Sequence, residues 1–356
     1  SVHKALPIWS HMANENWCMI GYHSVSVLAD AVAKGLPLDK EEVLKAMVSS
    51  STIPYLDGTG EYMEKGYVAL DHNGSAASLT LEYAYDDWTI YHTALLAGNR
   101  SVADTYKKRA ANYTNVFDTN MGYARPRYAD GRWKENFNLL NTHGEGFIEG
   151  NALNYSFYVP QDVDNMIRLM GGDKSFVSKL DSLFTMHLPA EFFAQTEDVT
   201  EEGLLGGYVH GNEPSHHVIY LYNKVGQPWK TQKYVAEVLH NLYQNAPDGI
   251  CGNEDCGQMS AWFVFSSMGF YPVDPISGKY EIGTPIFPEV KMHLANGKTF
   301  AVLAPAVSRE NIYVQSVKLN GRPYDKSYIT HEQIMNGDTL EFEMGNRPGP
   351  VWYNNM

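Results

Sequence analysis

Cysteine is scarce. Cys18, Cys251 and Cys256 are the only three in 356 residues, too few for a disulfide framework. Cys251 and Cys256 have no second pair or histidine cluster to complete a zinc knuckle, so they read as plain thiols. Charge is thin as well, at 19% of residues, and it is lopsided: 27 basic against 41 acidic, a net −14. Such a surface repels phosphate, which excludes a general nucleic-acid binder and leaves room for neutral substrates or a divalent cation. No apolar run approaches the eighteen or so residues of a membrane span, so none is expected. No secretory signal is visible either, and since the chain starts at Ser1 this says little about compartment.

What is present is apolar and aromatic. Hydrophobic residues make up 44% and tyrosine alone contributes 24 positions, enough for a packed core and against wholesale disorder. The length points to two domains, or to one large domain with an appendage. Periodicity and caps predict helices over 19–34, 39–48 (with Asp39 as cap), 78–96, 101–117, 159–170, 173–184, 216–225, 230–243 and 258–268. An Asp130-Gly131 pair amid aromatics predicts an inserted hairpin within 121–136. After Gly269 the character changes to prolines and short alternating runs. Strands are expected over 279–282, 289–294, 299–303, 312–319 and 339–344, with hairpin turns at Asn296-Gly297 and Asn320-Gly321. The expectation is therefore mainly α: an α/α toroid over 1–270, followed by a small β-rich module over 271–356. A complete six-fold α/α barrel needs twelve helices, so about nine predicts a partial one.

Four segments carry chemistry. In Gly146-Phe-Ile-Glu149-Gly-Asn-Ala-Leu-Asn-Tyr155 a lone glutamate follows apolar residues. Partial burial would suit it to general-acid work, against the plainer reading of a helix cap or a partner for Arg168. In His210-Gly-Asn212-Glu213-Pro-Ser-His216-His217 an amide, a carboxylate and three imidazoles crowd together, and the oxygens of Asn212 and Glu213 suit calcium. For Glu213 alone, a place at a helix N-terminus before Pro214 is the plainer reading. In Asp248 to Ser260 the consecutive Asn253, Glu254 and Asp255 sit between glycines, divided between capping and function. Glu82 and Asp86 lie one helical turn apart among Tyr83, Tyr85 and Trp88, where a site wall competes with a solvated face. Two separated carboxylates, Glu149 and Asp255, in loops of an aromatic-rich helical protein point to glycoside hydrolysis.

Four longer stretches carry a resemblance: 78–88, 211–217, Gly226-Gln-Pro-Trp229-Lys-Thr-Gln232 and 252–262. With the tail from Gly269 to Met344, they resemble family 92 of the glycoside hydrolases, calcium-dependent exo-acting α-mannosidases. The likeness runs over essentially the whole chain. It implies removal of terminal α-1,2- or α-1,3-linked mannose from N-glycans or mannan with inversion, with Ca2+ contacting the sugar hydroxyls. By motif, Glu149 matches the general acid and Asp255 the general base. Tyr155, Glu82, Asp86, His210, His217 and Trp229 are expected at the sugar, and Asn212, Glu213 and Asn253 around the metal. The family's fold implies an N-terminal β-sandwich packed ahead of this segment, so a C-terminal part is expected, along with a periplasmic, cell-surface or secreted setting. The pattern departs at Leu153, where an aromatic is usual, and at Gln161, where histidine is common; both bear on linkage. A carbohydrate-binding fragment without turnover is the alternative of a different class, and a plain scaffold with capping acids is a third.

Overall fold

A computed structural model describes residues 5–11, 14–16, 18–189 and 203–354. The chain divides into two compact units, Ser1–Val199 with Gly206–Tyr208 and Thr200–Leu205 with Val209–Met356. The expected boundary at 270 falls inside the second of these, at the point where strands take over from helices.

The first unit is helical: α1 Ser24–Ala33, α2 Lys40–Ser50, α3 Thr59–Lys65, α4 Ala76–Leu96, α5 Arg100–Arg109, α6 Ala152–Tyr155, α7 Val163–Leu169 and α8 Asp173–Thr185. Asp39 caps α2 as expected, accepting from the N–H groups of Glu41 and Glu42. Helix α3 escapes the periodicity reading because it is short and bracketed by glycines, Gly58 and Gly66, both in the left-handed region. The centre of the unit is α4, packed on by α1, α2 and α5. Nearly every residue from Ala76 to Ile90 is buried, so α4 has no solvent face to give its acids. All three, Glu82, Asp86 and Asp87, go into the interior with it. The helix expected over 101–117 divides into α5 and a 3-10 segment, Asn112–Val116. The hairpin expected around Asp130-Gly131 appears as a turn closed by the Arg127–Trp133 bridge. A second small hairpin, Phe117–Asp118 with Tyr123–Ala124, precedes it.

In the second unit, the expected helix over 216–225 is a 3-10 run, Val218–Val225, all buried until its end. Val218, Ile219, Tyr220 and Tyr222 are β-branched or aromatic, poor α-helix formers, and Gly226 closes the run in the left-handed region. Two α-helices follow, Pro228–Asn241 and Gln258–Met268, the latter with the bounds that periodicity predicts. The β-rich segment forms a five-stranded sheet in the order Arg322–Pro323, Tyr313–Leu319, Thr339–Gly345, Thr299–Leu303, Glu289–His293. A three-stranded sheet orders Tyr328–Thr330, Lys279–Ile282 and Phe270–Tyr271. Asn296-Gly297 and Asn320-Gly321 make the expected turns; at the second both residues have positive φ, 52° and 75°, the geometry that suits a tight hairpin. Side chains alternate in and out along Thr299–Leu303 and Thr339–Gly345, and the inward set (Phe300, Val302, Leu340, Phe342, Met344) builds the module's core.

Candidate active site

Glu149 sits on a segment pinned to the start of α4. The Gly146 carbonyl accepts from the N–H groups of Ala77 and Ser78, and the Gly146 N–H donates to Gly74. Only glycine fits at 146: φ is +110° and a Cβ would lie 2.0 Å from the Pro126 ring. Glu149 itself is half-buried with φ +51°, a conformation costly for a non-glycine residue. It is not a helix cap, since that task falls to Asn151, whose side chain accepts from Leu153 and Asn154. Arg168 bonds Asn165 at 3.0 Å. Gly150 rests on the edge of the Tyr155 ring, where a Cβ would meet the ring carbons at 3.3 and 3.4 Å. The Tyr155 hydroxyl donates to Glu82 Oε1 at 3.0 Å. Burial, then the charges of Glu82 and Glu149, push its pKa well up, so it keeps its proton.

Glu82 and Asp86 do not face solvent. They clasp His23, whose Nε2 lies 2.7 Å from Glu82 Oε2 and whose Nδ1 lies 2.7 Å from Asp86 Oδ1. The second Asp86 oxygen accepts the Tyr22 N–H at 2.8 Å. Burial works to lower the His23 pKa, but Asp86 and then Glu82 outweigh it and hold the ring well above the usual imidazole value. His23 is therefore an imidazolium between two carboxylates. Its ring folds back over Gly21 (φ +80°), where any Cβ would fall 2.6 Å from Nε2. The next acid on α4, Asp87, belongs to a separate network: it accepts from Tyr22 at 2.8 Å, Tyr62 at 3.0 Å and Arg109 Nε at 2.8 Å. Burial pushes Asp87 up to about 6 against the pull of Arg109.

In the second unit, Gly211 and Gly252 touch back to back. A Cβ on Gly211 would lie 2.8 Å from the Cys251 carbonyl, and one on Gly252 2.5 Å from that of Gly211. This contact sets the Asn212-Glu213 loop beside the Asn253-Glu254-Asp255 loop. Asn212 is buried, Glu213 half-buried and Asn253 exposed. Glu213 opens a 3-10 turn with Pro214, not the first turn of an α-helix. Capping of helix Gln258–Met268 falls to Glu254, which accepts from the Ser260 N–H at 3.0 Å and hydroxyl at 2.9 Å. Asp255, like Glu149, is held in the left-handed region, at φ +44°.

Behind these loops lies a neutral histidine cluster. His216 Nε2 donates to the His210 carbonyl at 2.9 Å, which leaves Nδ1 to accept from the Gln258 amide at 3.1 Å. The Trp262 indole donates to the His216 carbonyl at 3.0 Å. Burial pushes His216 down to about 4 and His210 well below the usual value. His210 is fully buried, its Nε2 2.8 Å from the Tyr243 hydroxyl, and His217 is buried beside His216. Trp229 lies in the first turn of helix Pro228–Asn241 under the Lys230 ammonium, at 5.2 Å. The structure thus brings Tyr155, Glu82, Asp86 and Glu149 together in one unit, and His210, Asn212, Glu213, His217, Asn253 and Asp255 in the other. His23 was missed by sequence reasoning. A buried acid pair on α4 calls for a cation, but nothing local says that it comes from sixty residues upstream.

The sequence matches the Glycosyl hydrolase family 92 catalytic domain over residues 2–346, and the chain belongs to that family. Its structure is similar to that of the family GH92 α-mannosidase BT3965 from Bacteroides thetaiotaomicron, with a TM-score of 0.90 and 42% identity, covering 98% of this chain and 45% of that one. It is also similar to the family GH92 inverting mannosidase BT2199 from Bacteroides thetaiotaomicron VPI-5482, at 0.84 and 36%, covering 94% and 47%. Among curated proteins it is 28% identical to an uncharacterized secreted glycosidase from Arthroderma benhamiae, over 91% of this chain and 45% of that protein. The chain therefore spans under half the length of these relatives. Among the described residues no helix is long and apolar enough to cross a membrane.

Proposed function

We propose that the protein is an inverting, calcium-dependent exo-α-mannosidase acting on terminal α-1,2- or α-1,3-linked mannose of N-glycans or mannan. Glu149 protonates the leaving oxygen and Asp255 activates the attacking water. The observation that carries this reading is that both residues keep a left-handed backbone on glycine-bounded loops. Such a cost persists where the surroundings over-determine a functional geometry. Family membership and the likeness to two mannosidases support the substrate class.

Calcium fits the residues of the second unit. Among the described residues no three His, Cys, Asp or Glu side chains converge as a metal site. Asn212, Glu213 and Asn253 instead offer amide and carboxylate oxygens, the hard donors calcium takes. When bound, the ion would polarise and orient sugar hydroxyls. His210 and His216 are committed to fixed tautomers and so serve as neutral walls. His217, Trp229 and Tyr155 are assigned to the mannose. We further propose that residues 1–270 form part of an α/α toroid, that a β-sandwich domain packs against it in the complete enzyme, and that the enzyme works in the periplasm, at the cell surface or outside the cell.

The test is hydrolysis of α-1,2- and α-1,3-mannobiose with calcium and with chelator, reading the first-formed anomer by NMR. Calcium-dependent release of β-mannose is expected. Release of α-mannose would overturn inversion, chelator-resistant release the calcium role, and binding without release the enzymatic reading. Glu149→Gln should lose about 10²–10⁴-fold on mannobiose and far less on an aryl mannoside with a good leaving group. Equal losses on both would remove Glu149 as the acid.

A further inference from the structure

The hairpin around Asp130-Gly131 holds none of the residues assigned to the reaction, yet it is fastened to the segment that carries Glu149. The hairpin is itself well anchored. Arg127 and Trp133 bridge across it, with the Arg127 guanidinium over the Trp133 ring at 4.3 Å and near the Tyr67 ring at 5.7 Å. The Arg127 carbonyl accepts from the Leu70 N–H at 2.8 Å, and the Ala129 N–H donates to Asp71 at 3.0 Å. After Trp133 comes Lys134, whose polar groups are all engaged. Its N–H donates to the Pro126 carbonyl at 2.9 Å, and its carbonyl accepts from Arg125 Nε, at 2.9 Å, and Nη2. Its ammonium lies 2.5 Å from Glu145 Oε2. Arg125 is fixed in turn by the buried Asp118 at 2.9 Å. The Lys134 side chain is only 14% exposed, so the ion pair is shielded on its cationic side and holds better than a surface pair. The Asn141 amide donates to the same Glu145 oxygen at 3.2 Å and orients the carboxylate.

Glu145 stands four residues before Glu149. Between them Gly146 is hydrogen-bonded to the start of α4, and the Ile148 N–H donates to the Ser78 hydroxyl at 3.3 Å. On the hairpin side, the Pro126 ring abuts Gly146. That contact resists compression, whereas the Lys134–Glu145 ion pair resists separation. Together they set the spacing between the hairpin and the Glu149 loop. We propose that Lys134 is a positioning residue for the general acid: its ion pair with Glu145 holds the 145–149 segment to the hairpin and so keeps the Glu149 backbone in its left-handed conformation. The proposal rests on the reading of Glu149 as general acid. A left-handed backbone at a non-glycine residue persists only where its surroundings over-determine it. Released from the hairpin, the loop relaxes toward an ordinary φ and the carboxyl moves off the leaving oxygen. A misplacement of about 1 Å can cost about 100-fold, and a partial one, with the ties to α4 intact, costs less.

The test is steady-state kinetics of the complete enzyme on a mannobiose and on an aryl mannoside with a good leaving group, which needs little protonation. Lys134→Met should lower kcat on mannobiose about tenfold with KM changed by less than about twofold, and should leave the aryl mannoside nearly untouched. Lys134→Arg keeps the charge and should restore most of the loss. Glu145→Gln should match Lys134→Met, and the double variant should lose no more than either alone. Equal loss on both substrates, or losses that add, would mean general damage and overturn the proposal. Hydrogen exchange reads the same effect without turnover: the amides of 145–149 should exchange faster in Lys134→Met while α4 keeps wild-type protection. Unchanged exchange over 145–149 also overturns it. Glu149→Gln on both substrates separates the two failures. Selective loss on mannobiose there, with Lys134→Met unaffected, rejects the role of Lys134 alone, whereas equal loss on both substrates rejects Glu149 as the acid.

Discussion

The two units treat buried histidine in opposite ways. In the first, His23 has two carboxylates within 2.7 Å and is held as a cation. In the second, His210 and His216 have a carbonyl, an amide and a phenol as partners, and burial keeps them neutral. His23 is half-buried and the other two are buried, and burial lowers all three; the charge of the partners reverses the outcome at His23. An imidazole desolvated beside neutral dipoles gives up its proton, and one desolvated beside acids keeps it. The first arrangement suits control of a proton. The second suits a rigid, uncharged wall next to loops that carry the proposed metal ligands.

The largest effect should come from breaking a charged network outright. Asp87→Asn leaves the Arg109 guanidinium in the interior without its counter-ion, 2.8 Å from where the carboxylate stood. Loss of one partner of a buried pair costs about 3–5 kcal/mol, measurable by denaturant melts; a loss under about 1 kcal/mol would mean the network is already hydrated.

The histidines should then give pH dependences of opposite sign. For His216, a folded pKa near 4 lies below the unfolded value, so its contribution is present above about 6.5 and is lost as pH falls toward 4. Wild type should lose roughly 3 kcal/mol more than His216→Gln over that interval. For His23 the folded value is raised. Its contribution is full below about 6.5 and fades as pH rises from there through the folded pKa. Thermal melts from pH 6 to 9 should fall more steeply for wild type than for His23→Gln. Parallel curves in either pair would collapse the contrast between the units.

The smallest effect is expected where a neutral partner is removed. Tyr243→Phe takes away the hydroxyl shared by His210 Nε2 and the Met259 carbonyl. It should cost about 1–3 kcal/mol with no change in pH dependence. A new pH dependence would show that Tyr243, and not burial, sets the charge of His210.

Much of the fold was legible because it is written in short-range signals. Periodicity placed helix Gln258–Met268 and strands Lys279–Ile282 and Thr299–Leu303 with their observed ends. Asn-Gly pairs placed both hairpin turns. Glu149 and Asp255 stood out as acids beside glycines, and both turned out to be backbone outliers. What was not legible depends on contacts between distant residues. Glu82 and Asp86 share a face as read, but α4 is buried on nearly every side from Ala76 to Ile90, so the face is interior. Their partner His23 lies 59 and 63 positions away. Tyr220 and Tyr222 carried a helical pattern, yet the crowding of β-branched neighbours tightened the run to 3-10. Gln161, noted as a departure from the family pattern, has both side-chain polar atoms buried without a hydrogen bond, which no local rule anticipates.

The order of the five-stranded sheet has a consequence for how this part of the chain is made. Its middle strand, Thr339–Gly345, is the last to be synthesised, and it runs parallel to Thr299–Leu303 and antiparallel to Tyr313–Leu319. Until it arrives, those two earlier strands each have an open edge facing a gap. Translation at about 5–20 residues per second leaves the edge of Thr299–Leu303 unpaired for about 2–8 s. Every nascent copy passes through that interval with a strand of Phe300 and Val302 available to a neighbouring chain. Crowded polysomes are therefore where this sheet is most exposed to mispairing, and a stop codon just before Thr339 would make that exposure permanent.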